Sequence, residues 1–206
     1  MDLKGVLFES NNEFEIPNLL LDRQAGKLEL PFVDYSSARR RLNVATVHFY
    51  VDDYRFDNIW KSPAKILTEN ISAATEPNTS TSHTMPIAYG LQQIYKKRWI
   101  ARYWQENGLL IYADLNVSPK FYEYNRMGIP KGYNAFTTRG SYDMLHNLEA
   151  ELEIAKEISG LQMPNLIVYG GGVTIKKFCM ENSLLYVEQY MTERKNHIKW
   201  VTEAAV

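Results

Sequence analysis

The chain has 206 residues, 45% hydrophobic and 23% charged, with a formal net charge of -1 and a pI near 6.4. That length suits one compact domain, and the near-neutral balance excludes a protein that coats nucleic acid by bulk charge, leaving room only for a local basic patch. The single Cys179 excludes a disulfide framework, a zinc site of several thiolates and a cysteine-held iron–sulfur cluster within one chain.

The opening "MDLKGVLFESNNEF" holds no long apolar stretch and no small-residue cleavage site. No segment reaches the roughly 20 apolar residues that span a bilayer, so a cytoplasmic protein without membrane contact is expected. Residues 1–40 carry turn and breaker signals and read as an N-terminal arm. A core over 41–175 and a largely helical segment over 176–206 complete a single domain. "NVATVHFYV" (43–51) is nearly continuous in apolar character, the pattern of a strand covered on both faces. "YRFDNIWKSPAKIL" follows with Phe56, Ile59 and Trp60 at helical spacing until Pro63 interrupts.

"NISAAT" (70–75) reads as a short strand before the polar loop "EPNTSTSHTMP". From Pro86 a long amphipathic helix is predicted, with Ile94, Trp99, Ile100 and Tyr103 on one stripe and Gly108 closing it. "LLIYADL" (109–115) and "YNAFTTRG" (133–140) read as further strands. "SYDMLHNLEAELEIAKEISG" reads as a second long helix, with Ser141 and Asp143 suiting its start and Gly160 its end. "NLIVYGGG" (165–172) reads as another strand, and the remainder as mostly helical, with "SLLYVEQYM" open to a strand. Strands alternating with helices predict an α/β fold with mainly parallel strands, in the form of an irregular or incomplete barrel.

Parallel sheets place ligands at the carboxyl ends of their strands. The residues just past the predicted strands are Asp52 and Asp53, then Glu76 and Asn78, then Asp114 and Asn116. Thr138 and Arg139 follow, and last Gly170, Gly171 and Gly172. In such a fold these groups converge on one rim. Asp52, Glu76 and Asp114 are oxygen donors of the kind that hold Mg²⁺ or Mn²⁺. Arg139 suits a phosphate, and the glycines allow backbone N–H groups to approach an anion. Acidic residues at strand ends also arise simply as helix caps, and a triple glycine simply as a sharp turn, since it lacks the spacing of a nucleotide-binding loop.

Other candidates are weaker. The helix run "IYKKRWIARYW" interleaves Lys96, Lys97, Arg98 and Arg102 with Trp99 and Trp104, which suits nucleic-acid binding but equally a helix with rings inward and charges outward. "SARRRL" (37–42) carries the same ambiguity. The 14 Tyr, 8 Phe and 4 Trp likewise fit a core of large rings as well as a stacking surface for bases. His48 reads as a core residue and His83 as a loop residue, while no pairing among the four histidines has metal-ligand spacing. Ser80 and Cys179 lack any local signature of an activated nucleophile.

The blocks "VHFYVDDYRFDNIWKSPAKIL", "YKKRWIARYWQENGLLIYADLN", "GIPKGYNAFTTRG" and "LIVYGGG" together resemble the DUF4417 family of bacterial, plasmid and phage proteins. The resemblance spans roughly residues 40–175. It implies that shared features fall on Asp52, Asp53, Trp60, Pro63, Trp99, Trp104, Gly128, Pro130, Gly140 and Gly170, and it implies a mobile-element setting. One block departs: where the family is expected to carry an acidic residue after proline, this chain reads "TEPNTST", so either Glu76 replaces that carboxylate or the position has lost its role.

The leading expectation is a phage or plasmid protein whose strand-end site handles a nucleic acid or nucleotide phosphate. In its enzymatic form Asp52, Asp53, Glu76, Asp114 and Arg139 carry metal-dependent phosphoryl chemistry. Two alternatives stand beside it: a non-enzymatic module binding a small ligand or protein partner, and a replication accessory that binds DNA through the basic helix.

Overall fold

A computed structural model of the protein describes residues 7–36 and 45–189. The run 37–42 and His197 therefore lie outside the described residues. Among the described residues there are seven short strands: β1 (Phe32–Asp34), β2 (Thr46–His48), β3 (Ala73–Thr75), β4 (Leu110–Asp114), β5 (Phe136–Arg139), β6 (Leu166–Tyr169) and β7 (Leu185–Val187). They lie side by side in chain order, and every neighbouring pair is parallel. A parallel neighbour needs a crossover, and crossovers that keep one hand and one direction roll a twisted sheet toward a barrel. The result is an all-parallel half-barrel with helices between its strands.

The helices are α1 (Asn58–Lys61), α2 (Ile87–Glu106), α3 (Tyr122–Arg126), α4 (Leu145–Ser159) and α5 (Gly172–Glu181). Short 3₁₀ turns at Asp53–Arg55 and Pro63–Thr68 flank α1, where Pro63 prevents a longer helix. α2 starts directly after Pro86 and is followed by Gly108 at φ +92°, a conformation that costs glycine little. α4 ends on Gly160 in the left-handed region. Its start lies beyond Ser141 and Asp143, which hydrogen-bond each other at 2.5 Å instead of capping the first turn. No helix among the described residues is long and apolar enough to cross a membrane.

Two strands fall outside the predicted core. β1 sits inside the segment read as an arm, and β7 inside the mostly helical segment, at the run "SLLYVEQYM" that the sequence leaves open to a strand. β1 is embedded among turn and breaker signals, which mask so short a strand. The rest of the arm runs along α2 and the base of the sheet. Gln105 bonds Leu20 through both its N–H and its C=O, at 2.8 and 3.1 Å, and Arg102 Nη1 donates to Asn18 O at 2.6 Å.

Side chains alternate across each strand. Phe49 turns outward to stack on Trp104 of α2 at 5.6 Å, and the Trp104 indole N–H donates to Pro63 O at 2.8 Å. Trp99 and Trp104 are both buried, so these rings build core. His48 and Tyr50 turn the other way. His48 stacks on Phe32 of β1 at 4.5 Å and meets Tyr169 of β6 at 4.4 Å, while Tyr50 stacks on Tyr169 at 5.5 Å. Phe32 and Tyr169 are themselves 5.9 Å apart. Stacked rings thus fill the interior where the curling sheet brings β1 toward β6.

Candidate functional site

Beneath the carboxyl-end rim lies a buried polar layer organised by Asp114, the last residue of β4. Its Oδ1 accepts from the Tyr50 hydroxyl at 3.0 Å and from the Asn116 backbone N–H at 3.3 Å. Its Oδ2 accepts from Asn78 Nδ2 at 3.0 Å and from Lys97 Nζ at 3.2 Å. Lys97 also donates to the Asp114 carbonyl at 2.8 Å, and neither side chain of this ion pair is exposed. Burial pushes the Tyr50 hydroxyl well above the usual tyrosine range, and the charge of Asp114 adds to it.

A second pair backs the first. Glu76 Oε2 accepts the Asp114 backbone N–H at 2.9 Å. Arg98 Nε lies 2.8 Å from Glu76 Oε1, an ion-pair distance, although the angle misses hydrogen-bond geometry. Arg98 Nη2 donates to Asn125 O at 2.9 Å, and Asn125 Nδ2 donates to the Asp114 carbonyl at 3.0 Å. On the helix side of β5, Thr138 donates to Glu151 of α4 at 2.6 Å. Burial pushes the Glu151 carboxyl well above the usual carboxylate range; the Thr138 bond opposes this and the charge of Asp114 reinforces it.

The adjacent carboxylates after β2 have separate jobs. Asp52 is exposed and sits 3.6 Å from Arg55 Nε. Asp53 accepts from the backbone N–H of Ser80 at 3.0 Å and from its hydroxyl at 2.8 Å, holding the polar loop after β3. Two further ties fix the same loop: Ser118 N–H donates to Thr81 Oγ1 at 2.7 Å, and Lys120 Nζ donates to Met85 O at 2.6 Å.

That loop forms one wall of a groove of about 620 Å³, lined by Asn78 to His83, Asn116 to Pro119, Arg139, His146 and neighbours. A second groove of about 600 Å³ shares Asn116 and Arg139 and continues over Gly140, Ser141, Tyr142, Gly171 and Gly172. Asp114 and Thr137 are partners in register, so by alternation Arg139 shares their face at the barrel mouth. Arg139 is exposed and makes no hydrogen bond or ion pair among the described residues. Gly170, Gly171 and Gly172 all have positive φ, at 71°, 97° and 79°. A Cβ on Gly140 would lie 2.4 Å from the Gly170 carbonyl, so the glycines also let two strand ends touch.

The structure therefore brings Asn78, Asn116, Arg139, Gly171 and Gly172 to one rim, with Asp53 bracing its loop. It does not bring Asp52, Glu76 and Asp114 together as one donor set: the first is a surface residue, and the other two are buried in separate ion pairs. Among the described residues no group of three His, Cys, Asp or Glu is arranged to hold a metal ion. Thr138 faces α4 instead of the groove, and Gly170 lies against Gln189. The basic helix run is also arranged differently from either expectation. Lys97, Arg98 and Arg102 are buried beside Asp114, Glu76 and Glu106, and Lys96 is half-buried over the Trp60 ring at 5.8 Å. Those cations are consumed inside the fold, so α2 offers no cationic stripe to a nucleic-acid backbone.

Tyr50, Asn125 and Glu151 belong to the polar layer and were not singled out in the sequence, nor was Lys97 as the partner of Asp114. A signal existed for two of them. Glu151 lies with Leu148, Leu152 and Ala155, and Lys97 with Ile94 and Ala101, on buried helix faces. A charge on an apolar stripe marks a buried pair.

The chain is similar to two phage proteins. It is 29% identical over 203 residues to the Gene 1 protein of Mycobacterium phage L5, covering 95% of this chain and 86% of that one. It is 26% identical over 205 residues to the Gene 1 protein of Mycobacterium phage D29, covering 96% and 74% respectively. No solved structure matches. The model of one family, described as a domain of unknown function, matches residues 8–191, and the chain belongs to that family, DUF4417.

Proposed function

We propose that this is a mobile-element protein of the host cytoplasm whose strand-end rim binds a nucleotide through its phosphate. The observation that carries the reading is Arg139: an exposed guanidinium at the barrel mouth, without a partner among the described residues, where two polar grooves meet. Arginine matches phosphate in a bidentate fork, and such charge-assisted bonds are the strong ones. The amino end of α5, entered through glycines, adds backbone N–H groups and the positive end of a helix dipole to the same groove. By analogy, parallel α/β sheets and barrels bind phosphates at this end. The phage relatives fit the setting.

A groove of this size suits a nucleotide or a strand terminus better than a duplex, and the net charge of -1 agrees. A Mg²⁺ or Mn²⁺ ion held by Asp52, Glu76 and Asp114 would require those carboxylates to leave Arg55, Arg98 and Lys97. The phosphate is therefore assigned to arginine, and an accompanying ion to the nucleotide's own oxygens.

Thermal melts with inorganic phosphate, AMP and ATP, with and without Mg²⁺, test the reading. A ligand at a hundred times its Kd stabilises by about 2.7 kcal/mol, which shifts the midpoint by several degrees. The shift is expected for the wild type and lost in Arg139→Ala. An equal shift in both proteins, or none in either, overturns the proposal.

A further inference from the structure

Asn78 stands where the buried layer meets the rim groove. Its Nδ2 donates to Asp114 Oδ2 at 3.0 Å and to the Asn116 carbonyl at 3.1 Å. Both partners are acceptors only, so turning the amide over would set its carbonyl against two oxygens. The backing is itself fixed, because Lys97 holds Asp114 Oδ2 at 3.2 Å and the Asp114 carbonyl at 2.8 Å, and Tyr50 holds Oδ1 at 3.0 Å. With both amide hydrogens committed, Asn78 Oδ1 is the atom left over. It makes no hydrogen bond among the described residues, and it is not among their unpaired buried atoms.

The groove thus carries an acceptor of fixed orientation from Asn78 and a cation from Arg139. A ligand that satisfies both has a hydrogen-bond donor and an anionic group on one small frame. We propose that Asn78 Oδ1 accepts a hydrogen bond from the sugar hydroxyl or base N–H of a nucleoside monophosphate whose phosphate lies on Arg139. The inference rests on the rim reading above and adds to it a specificity residue. The groove volume of about 620 Å³ lies within the usual range of small-molecule sites, about 300–1,000 Å³. A polar group pre-aimed by a buried network discriminates, because a ligand without the matching donor leaves it unpaired. Neighbouring Asn116 lines both grooves with a side-chain amide that no such network orients, so it tolerates either ligand polarity.

Calorimetric titration of the wild type, Asn78→Ala and Arg139→Ala with AMP and with inorganic phosphate tests this, with circular dichroism confirming that each variant is folded. AMP affinity is expected to fall roughly tenfold to a hundredfold in Asn78→Ala, with phosphate affinity unchanged, whereas Arg139→Ala loses both. AMP affinity that survives in Asn78→Ala but not in Arg139→Ala overturns the inference and leaves the rim reading standing. Absence of AMP and phosphate binding in the wild type removes both. If Asn78→Ala does not fold, the wild type decides alone: AMP must bind at least about tenfold more tightly than phosphate, and equal affinities overturn the inference.

Discussion

Two adjacent strand-end carboxylates, Asp52 and Asp53, looked alike in the sequence and differ in the structure from Asp114, which looked like them too. What separates the three is the company each keeps. Asp52 faces water near Arg55, Asp53 ties a loop through Ser80, and Asp114 gathers Tyr50, Asn78, Lys97 and the Asn116 N–H in a dry interior. Removing one partner of a buried ion pair strands the other, so Asp114→Ala is expected to cost about 3–5 kcal/mol. Asp52→Ala should fall within about 0.5 kcal/mol of the wild type. Urea unfolding of the two variants measures both, and comparable losses would contradict the assignment. Glu151 gives a pH-dependent test. Its folded pKa is raised above the ordinary value near 4.3, so the native state binds its proton more tightly than the unfolded state. The group's contribution is therefore fully present below about pH 4.3 and declines as pH rises toward the folded pKa. Glu151→Gln keeps an acceptor for Thr138 and removes the titration. Its stability relative to the wild type should increase from pH 4 to pH 7.5, and a flat difference would contradict burial of a protonatable carboxyl. None of these distinctions was legible in strand-end position alone. The charges on the apolar stripe of α2 were legible, but the sequence also allowed them to face water, because spacing does not say which helix face the sheet covers.

The elements themselves were easier to read than their ends. β2, β3, β4, β5, β6 and the two long helices α2 and α4 all formed within the predicted segments, because long apolar runs and 3.6-residue stripes carry strong signals. β1 carries almost none because it sits among turn and breaker signals, whereas β7 falls in the run "SLLYVEQYM" that the sequence leaves open to a strand. The parallel direction of the strands followed from their alternation with helices, and the carboxyl-end rim followed from that direction. Glycines show how packing overrides local preference. In a helix interior alanine is ordinarily better than glycine by about 1 kcal/mol. In α2, however, a Cβ on Gly90 would lie 2.1 Å from a ring carbon of fully buried Phe121. Overpacking of that kind costs about 1–3 kcal/mol, so Gly90→Ala should lower stability. A melting point at or above the wild type's would show that Phe121 has room to move. Gly171→Ala meets two obstacles, φ of +97° and backbone of Gly140 at 2.7 Å, and should both destabilise the fold and disturb the amino end of α5.

Seven parallel strands in chain order leave a sheet that curls without closing, with β1 and β7 as its two edges. An apolar groove of about 720 Å³ runs along that seam, lined by Leu28, Phe32, His48, Tyr169 and Tyr186 among others. The architecture therefore has two faces of different chemistry: an apolar seam between the edges and a polar rim at the strand ends. Length and composition pointed to one domain, and the resemblance to phage and plasmid proteins to its family, but neither indicated how the barrel's mouth is furnished. That furnishing depends on which charges are neutralised inside, and Arg139 is a rim cation without a partner among the described residues. The most direct test is a ¹H–¹⁵N titration of the wild type with AMP. Localised shifts are expected at Asn78, Asn116, Arg139 to Ser141 and Gly170 to Gly172. Shifts confined to the seam residues, or no shifts at millimolar AMP, would contradict a phosphate site on the rim.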